Sequence, residues 1–390
     1  MRFEVQNYGP IESLVVNGDP YWEPTGLNFL IGMPGSGKTM LAWALYAEPA
    51  LMILDAYREA YGQNLPMRYS DNIDKFRRVF EEILYNAGFR NYVELHSKSR
   101  VRVCVESSQV YEGLRSIGYD PGSVAYACLA NTNGTIGTEL ILKSGRLEAL
   151  TLNQAKGLVQ DLTTWVSATI AWPHSLRESL YSITIKQIER IYELVKEWPK
   201  ESENPLLKPI SMLLKTRIPP IIYEDRNISE ELELNEGIFI EETYVTEQEQ
   251  HRKEALLKLS LGELSMSILK SSAALAKALR EEYSVRPLIL IDDGFDGIPS
   301  RDSGRLIEVL SEALKYSAMI ITTYRPEAII RNLQDERAKD FIEKYVTTYI
   351  ATYQLEELTR YAKNPISHRL ELISAGRLDD ETRNMVYDEF

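Results

Sequence analysis

Between Leu27 and Leu41 the chain reads LNFLIGMPGSGKTML: an apolar run, a glycine-rich turn, then a segment suited to a helix. Gly32, Met33, Pro34, Gly35, Ser36, Gly37, Lys38 and Thr39 satisfy G-x-x-x-x-G-K-[ST] at every fixed position. Such a loop requires a strand to enter it and a helix to leave it, which commits the chain to an α/β fold. The spacing predicts a strand over residues 28–31 and a helix through Leu41, Ala42, Trp43, Ala44 and Leu45. The glycines let the backbone curl so that successive N–H groups converge on a β-phosphate, and the helix turns its positive end to the same anion. Lys38 is placed to reach the β- and γ-phosphates, and the Thr39 hydroxyl to ligate Mg²⁺.

The rest of the composition narrows the partners. A net charge of −13 over 390 residues opposes nucleic acid and anionic membranes unless a local basic patch overrides it. Lys98, Arg100 and Arg102, with Arg77 and Arg78 on a neighbouring helix, are the best such patch; the competing reading is the solvated face of a strand. Cys104 and Cys128 are too few for a disulfide framework and are expected to be buried, reduced thiols. His96, His174, His251 and His368 lack metal-ligand spacing. MRFEVQNYG has neither the basic start nor the apolar core of a signal peptide, and no apolar run reaches about eighteen residues, so a cytosolic (cytoplasmic) protein without membrane spans is expected.

Along the chain, RFEVQ and IESLVV predict two short strands around the turn Asn7, Tyr8, Gly9, Pro10. Leu51–Leu54 reads as a strand and Ser70–Ala87 as a polar helix. YVELHSK, VRVCVES, SVAYACLA and TELILKS alternate as antiparallel strands do. Leu150–Trp198 has helical spacing, KESENPLLKP is a polar connection, and IPPIIYED and GIFIEETYV suggest another strand pair. Beyond residue 328 one strand, Tyr345–Ala351, a short helix and a tail are expected.

Three later motifs add chemistry. LSLGE, from Leu259 to Glu263, opens a helix with Leu264, Ile268, Leu275 and Leu279 on one face; Ser260 and Gly262 sit where a helix N-terminus can meet an anion. Leu288–Ile291 is an apolar strand that ends in Asp292 and Asp293. That is the form of a Walker B strand, whose first carboxylate holds Mg²⁺ through water and whose second can activate a water. Met319–Thr323 ends another apolar strand and leads into Tyr324, Arg325 and Pro326.

This order resembles the ATP-binding-cassette ATPases, in the branch that includes the SMC proteins, RecF and the ATPase part of OLD-family nucleases. The resemblance rests on NYGPIESL, GMPGSGKT, LSLGE, ILIDD and IITTYRPE, and covers about residues 1–50 and 255–327. It implies a P-loop NTPase with a mixed sheet flanked by helices, an antiparallel β subdomain and a helical insertion, divided at 1–148, 149–210 and 211–390. It also implies ATP and Mg²⁺ as cofactors, with Gly32, Gly35, Ser36, Gly37, Lys38 and Thr39 around the phosphates and Thr39 and Asp292 on the metal. Closure would be a head-to-tail homodimer in which Ser260 and Gly262 of one subunit touch the γ-phosphate held by the other. Asp293, Lys38 and Tyr324 take the catalytic positions. Two departures stand out. Asp293 replaces the usual glutamate and reaches about 1.5 Å less far, and Tyr324 replaces a switch histidine and carries no positive charge at neutral pH.

Gln109, Gln154 and Gln160 compete for the Q-loop position, IAWPHSLRES resembles a segment that short members carry nearby, and Asp296 and Gly297 fall where a D-loop would lie. The expectation is a slow, ATP-dependent dimerising switch in DNA repair, maintenance or defence, with DNA, a nuclease or another protein as partner and no membrane. The alternative is a nucleotide-gated scaffold that does not hydrolyse.

Overall fold

The computed structural model describes residues 2–9, 11–16, 26–32, 37–62, 67–86, 92–172, 206, 208–217, 261–293, 303–323, 346–354 and 369–376. Among them, two six-stranded sheets share one hydrophobic core. The first is antiparallel: β1 (Arg2–Tyr8), β2 (Ile11–Val16), β4 (Arg100–Glu106), β5 (Val124–Thr132), β6 (Thr135–Leu142) and β7 (Leu147–Leu150), in the order β2-β1-β4-β5-β6-β7. The alternation expected of its strands places Phe3, Val5, Val101, Val103 and Val105 in the core. Asn133 and Gly134 close the β5–β6 hairpin with φ of 53° and 81°, the left-handed pair that a two-residue turn of matching twist requires.

The second sheet has the order β12-β11-β3-β10-β9-β8. Its strands are β3 (Leu27–Gly32), β8 (Thr169–Trp172), β9 (Leu288–Asp292), β10 (Ala318–Thr323), β11 (Val346–Gln354) and β12 (Arg369–Gly376). All pairings are parallel except that of the edge strand β12. Every residue of β9 and β10 is buried, as in parallel strands covered on both faces.

Helix α1 (Lys38–Tyr61) lies between the sheets, against β1, β5 and β6 of one and β8 and β9 of the other. This placement corrects the strand expected at Leu51–Leu54. From Leu41 to Tyr57 every residue but Asp55 is buried, and a helix buried all round has no polar face to reveal its period. Helix α2 (Met67–Asn86) stands where a polar helix was expected. Tyr92–Lys98, expected as a strand, is instead helix α3. Its buried Tyr92 and His96 share one face with Leu95 between them, and the polar contacts of His96 hold that spacing.

Helices α4 (Tyr111–Ser116), α5 (Lys156–Ser167), α6 (Lys208–Arg217), α7 (Leu261–Tyr283) and α8 (Ser303–Tyr316) follow. The helical stretch expected over Leu150–Trp198 is interrupted by β8, whose four residues are too few for their own period to show. Likewise β12 adds a strand to a C-terminal region where only one was expected. In α7, Ile268, Leu275 and Leu279 are buried, as their helical spacing foretold.

One further expectation is corrected. Cys104 and Cys128 face each other in the β4–β5 register with Cα atoms 4.0 Å apart and form a disulfide, not a pair of reduced thiols. Strand register, invisible in the sequence, brings them together. Of the five cations of the candidate basic patch, four pair within the chain: Arg102 with Glu4 and Glu139, Arg100 with Glu139, Lys98 with Glu94, and Arg77 with Asp55 and Glu81, while Arg78 is exposed on α2. The features expected within residues 173–205, 218–260, 294–302 and 324–345 lie outside the described residues, as does the short helix expected in the C-terminal region.

Candidate functional site

The site is built where β3, β10 and β9 end together. Thr323 of β10 is level with Ile31 of β3, and Thr322 is level with Asp292 of β9. One strand, β10, therefore separates the glycine-ended strand from the carboxylate-ended one, a distance of about 10 Å at ordinary strand spacing. The carboxyl ends of strands in an open α/β sheet are where such folds present a ligand crevice.

Gly32 ends β3, and Gly37 precedes α1 with φ 90°, a left-handed conformation in which a side chain would be strained. At this helix start the Gly37 carbonyl accepts the Leu41 N–H at 2.8 Å. Lys38 is only 6% exposed. Burial lowers its pKa below the usual lysine value, against the opposing attraction of Asp293 and Asp292. Motifs far apart in sequence thus meet: the lysine of the glycine-rich loop shares its surroundings with both carboxylates. Thr39 is exposed beside it.

The N-terminal hairpin also reaches this place. Gly9, with φ 56°, comes so close to α1 that a Cβ there would stand 2.6 Å from the Met40 methyl group. The turn of the antiparallel sheet is therefore seated on the first turn of α1, and its left-handed backbone is what favours glycine there, since the Met40 methyl could shift aside.

Asp292 is 1% exposed at the end of β9. The Thr322 hydroxyl donates a hydrogen bond to its Oδ1 and accepts the Asp293 N–H at 3.1 Å. Asp293 has φ 51°, a left-handed backbone that aspartate tolerates better than most residues. In the sequence Thr322 reads only as the end of an apolar strand. A hydroxyl in a fully buried parallel strand, next to a strand closed by carboxylates, is the signal that marks it.

Gly262 is the second residue of α7. Gly35, Ser36, Ser260 and Tyr324 lie outside the described residues. The donor set fits the expected cofactors in kind: a buried cation and a helix start for polyphosphate oxygens, a hydroxyl and a buried carboxylate for a hard divalent cation. Among the described residues no group of three or more His, Cys, Asp or Glu could hold a metal by itself, so Mg²⁺ here would need phosphate oxygens and water to complete its shell. None of the described helices is long and apolar enough to cross a membrane.

The fold is mixed α/β, one antiparallel and one largely parallel sheet around a strand–loop–helix unit. No family model and no curated protein sequence matches the chain. The solved structures similar to it include the SmcHead bound to the C-winged helix domain of ScpA, at 12% identity over 96% of this chain and 97% of that one, with TM-score 0.39. The Smc head with an extended coiled coil bound to the C-terminal domain of ScpA, derived from Pyrococcus furiosus, shows 11% identity over 99% and 98%, with TM-score 0.38. The SMC head domain from Thermotoga maritima shows 12% identity over 90% and 94%, with TM-score 0.31. At so low an identity and TM-score, the activity of those proteins does not transfer to this chain.

Proposed function

We propose that this chain binds Mg·ATP at the junction of β3 and α1, dimerises on it, and hydrolyses it slowly as a conformational switch. The observation that carries the reading is the convergence of Lys38, Asp292 and Asp293 at one end of the parallel sheet. Lys38 and the first-turn N–H groups of α1 bind the polyphosphate. Thr39 and Asp292 supply oxygens to the metal, which when bound neutralises phosphate charge. Asp293 orients or deprotonates the attacking water. Ser260 and Gly262, around the start of α7, contact the γ-phosphate held by a second copy.

Calorimetry with Mg·ATP tests the first step. Lys38→Ala is expected to weaken binding by on the order of 100-fold, about 2.7 kcal/mol; unchanged affinity removes the assignment. Sedimentation with a non-hydrolysable ATP analogue and Mg²⁺ tests the second: the wild type self-associates and Ser260→Arg stays monomeric. A Ser260→Arg protein that dimerises normally reduces LSLGE to a helix start.

A second reading, a nucleotide-gated scaffold without useful hydrolysis, draws on Asp293. Its carboxylate is one methylene shorter than that of glutamate and hangs from a left-handed backbone held by Thr322. In that reading the closed dimer itself is what a protein partner recognises.

A further inference from the structure

The buried Thr322 hydroxyl engages two consecutive aspartates of the next strand. Its register partner is Asp292, and both residues are 1% exposed. A hydroxyl has one proton to donate and two lone pairs. Here the proton goes to Asp292 Oδ1 and a lone pair takes the Asp293 N–H at 3.1 Å. One oxygen atom thus orients the first carboxylate and holds the backbone of the second residue in its left-handed turn, φ 51°. The residues of β10 before it, Ala318, Met319, Ile320 and Ile321, are all apolar, so a hydroxyl in this row departs from the strand's own pattern.

We infer that Thr322 is a positioning residue for the two site carboxylates: it presets Asp292 for a divalent cation and aims Asp293 by fixing the turn from which it projects. This deepens the nucleotide reading above and rests on it. A carboxylate at the mouth of a buried strand can rotate about two side-chain torsions. A hydrogen bond from a β-branched residue, itself restricted at χ1, removes much of that freedom. Thr322 touches neither nucleotide nor water in this scheme; it acts through the two aspartates.

The test uses the full chain and a fluorescent ATP analogue, titrated with Mg²⁺ and, in parallel, bound in excess EDTA. Thr322→Val keeps the shape and removes the hydroxyl. It is expected to raise the Mg²⁺ concentration at half-maximal enhancement of binding by about tenfold, and to leave affinity in EDTA within about twofold of wild type. Thr322→Ser, which keeps the hydroxyl, is expected to restore the Mg²⁺ requirement to within about threefold. In an Asp292→Ala background, which removes the oxygen that the Thr322 hydroxyl orients, Thr322→Val should add no further change to the Mg²⁺ requirement. Should Thr322→Val not fold, Thr322→Ala removes the same hydroxyl without setting a methyl group against the carboxylate and carries the same expectation. An unaltered Mg²⁺ requirement in the hydroxyl-free variants, a Thr322→Ser protein as impaired as Thr322→Val, or an equal loss in EDTA overturns the inference while the wild type still binds nucleotide. A wild type that binds no nucleotide at all overturns the site assignment, and the inference with it.

Discussion

Helix α1 carries two clusters of buried charge, and they differ in kind. At its N-terminus Lys38 shares its surroundings with Asp292 and Asp293, which arrive from a strand distant in sequence. Further along the helix, Glu48 and Asp55 face α3 and α2. His96 Nδ1 lies 2.7 Å from Glu48 Oε2, its Nε2 is 3.5 Å from Asp55 Oδ2, and Asp55 also accepts from Arg77 at 2.6 Å. Asn131 of β5 donates from Nδ2 to the His96 carbonyl at 2.8 Å and lies 3.4 Å from Glu48. By burial and charge alone the second cluster is the better candidate for a site. Its topology says otherwise: it lies among α1, α2, α3 and β5, away from the carboxyl ends of the parallel strands, and its charged groups pair with one another. The first cluster stands at a helix start behind a left-handed glycine, at the carboxyl edge of a parallel sheet. Perturbed, buried ionisable groups mark structural networks as well as sites, and placement in the fold separates the two.

If that distinction holds, breaking the second cluster costs stability and leaves ligand binding alone. His96→Gln leaves Glu48, 1% exposed, without its cation, and removing one partner of a buried pair costs about 3–5 kcal/mol. Chemical denaturation should show a loss of that order, while ATP affinity of the folded variant stays within about twofold. Burial works against charging His96, but hydrogen bonds and attraction from Asp55 and Glu48 outweigh it and push the pKa up to about 9. The folded value lies above the unfolded one of about 6.5. The stabilisation is therefore full below about pH 6.5 and is lost as pH rises through about 9. Wild-type stability should fall across that window and the His96→Gln curve should lack this component. Parallel curves would mean that His96 is neutral and the cluster is not an ion-pair network.

Lys38→Ala is the converse case, with an expected binding loss of on the order of 100-fold. Burial already disfavours the charge on Lys38, so its removal should disturb stability less than His96→Gln does. If Lys38→Ala instead unfolds the protein as readily, the two clusters are alike and the N-terminal one is structural.

The first cluster is far more legible in the sequence than the second. The glycine-rich loop and an apolar strand closed by two aspartates are local patterns, each imposed by its own chemistry, so Lys38, Asp292 and Asp293 stand out without knowledge of the fold. Glu48, His96 and Asn131 lie on three elements whose meeting depends on packing, and nothing local marks them. The same limit governs the other differences. Cys104 and Cys128 pair only through the β4–β5 register, α1 hides its helical period by being buried on all sides, and Thr322 gains its role only when β10 is laid beside β9.

The smallest expected effect concerns Asp293, where two terms oppose each other. Restoring the methylene in Asp293→Glu extends the carboxylate toward the attacking water, and recovery of about 1.4 kcal/mol of transition-state stabilisation would raise turnover about tenfold. The backbone at this position, φ 51°, resists the change: the left-handed region costs most L-residues roughly 1–2 kcal/mol, and aspartate is among the few that enter it readily. Glutamate must either bear that strain or relax the turn, and relaxing it breaks the N–H bond to Thr322 and withdraws the carboxylate it was meant to advance. Turnover in Asp293→Glu should therefore rise by only about threefold, with a small drop in melting temperature. Asp293→Asn keeps the turn, because asparagine also accepts it, and should fall to the Lys38→Ala background while holding the ATP dimer together. A full tenfold rise would show that reach alone limits the wild type and that the turn is soft. No response to either change, even when Asp293→Glu is combined with Tyr324→His under saturating Mg·ATP, would mean that the cluster at the start of α1 binds and does not hydrolyse, and the scaffold reading would stand.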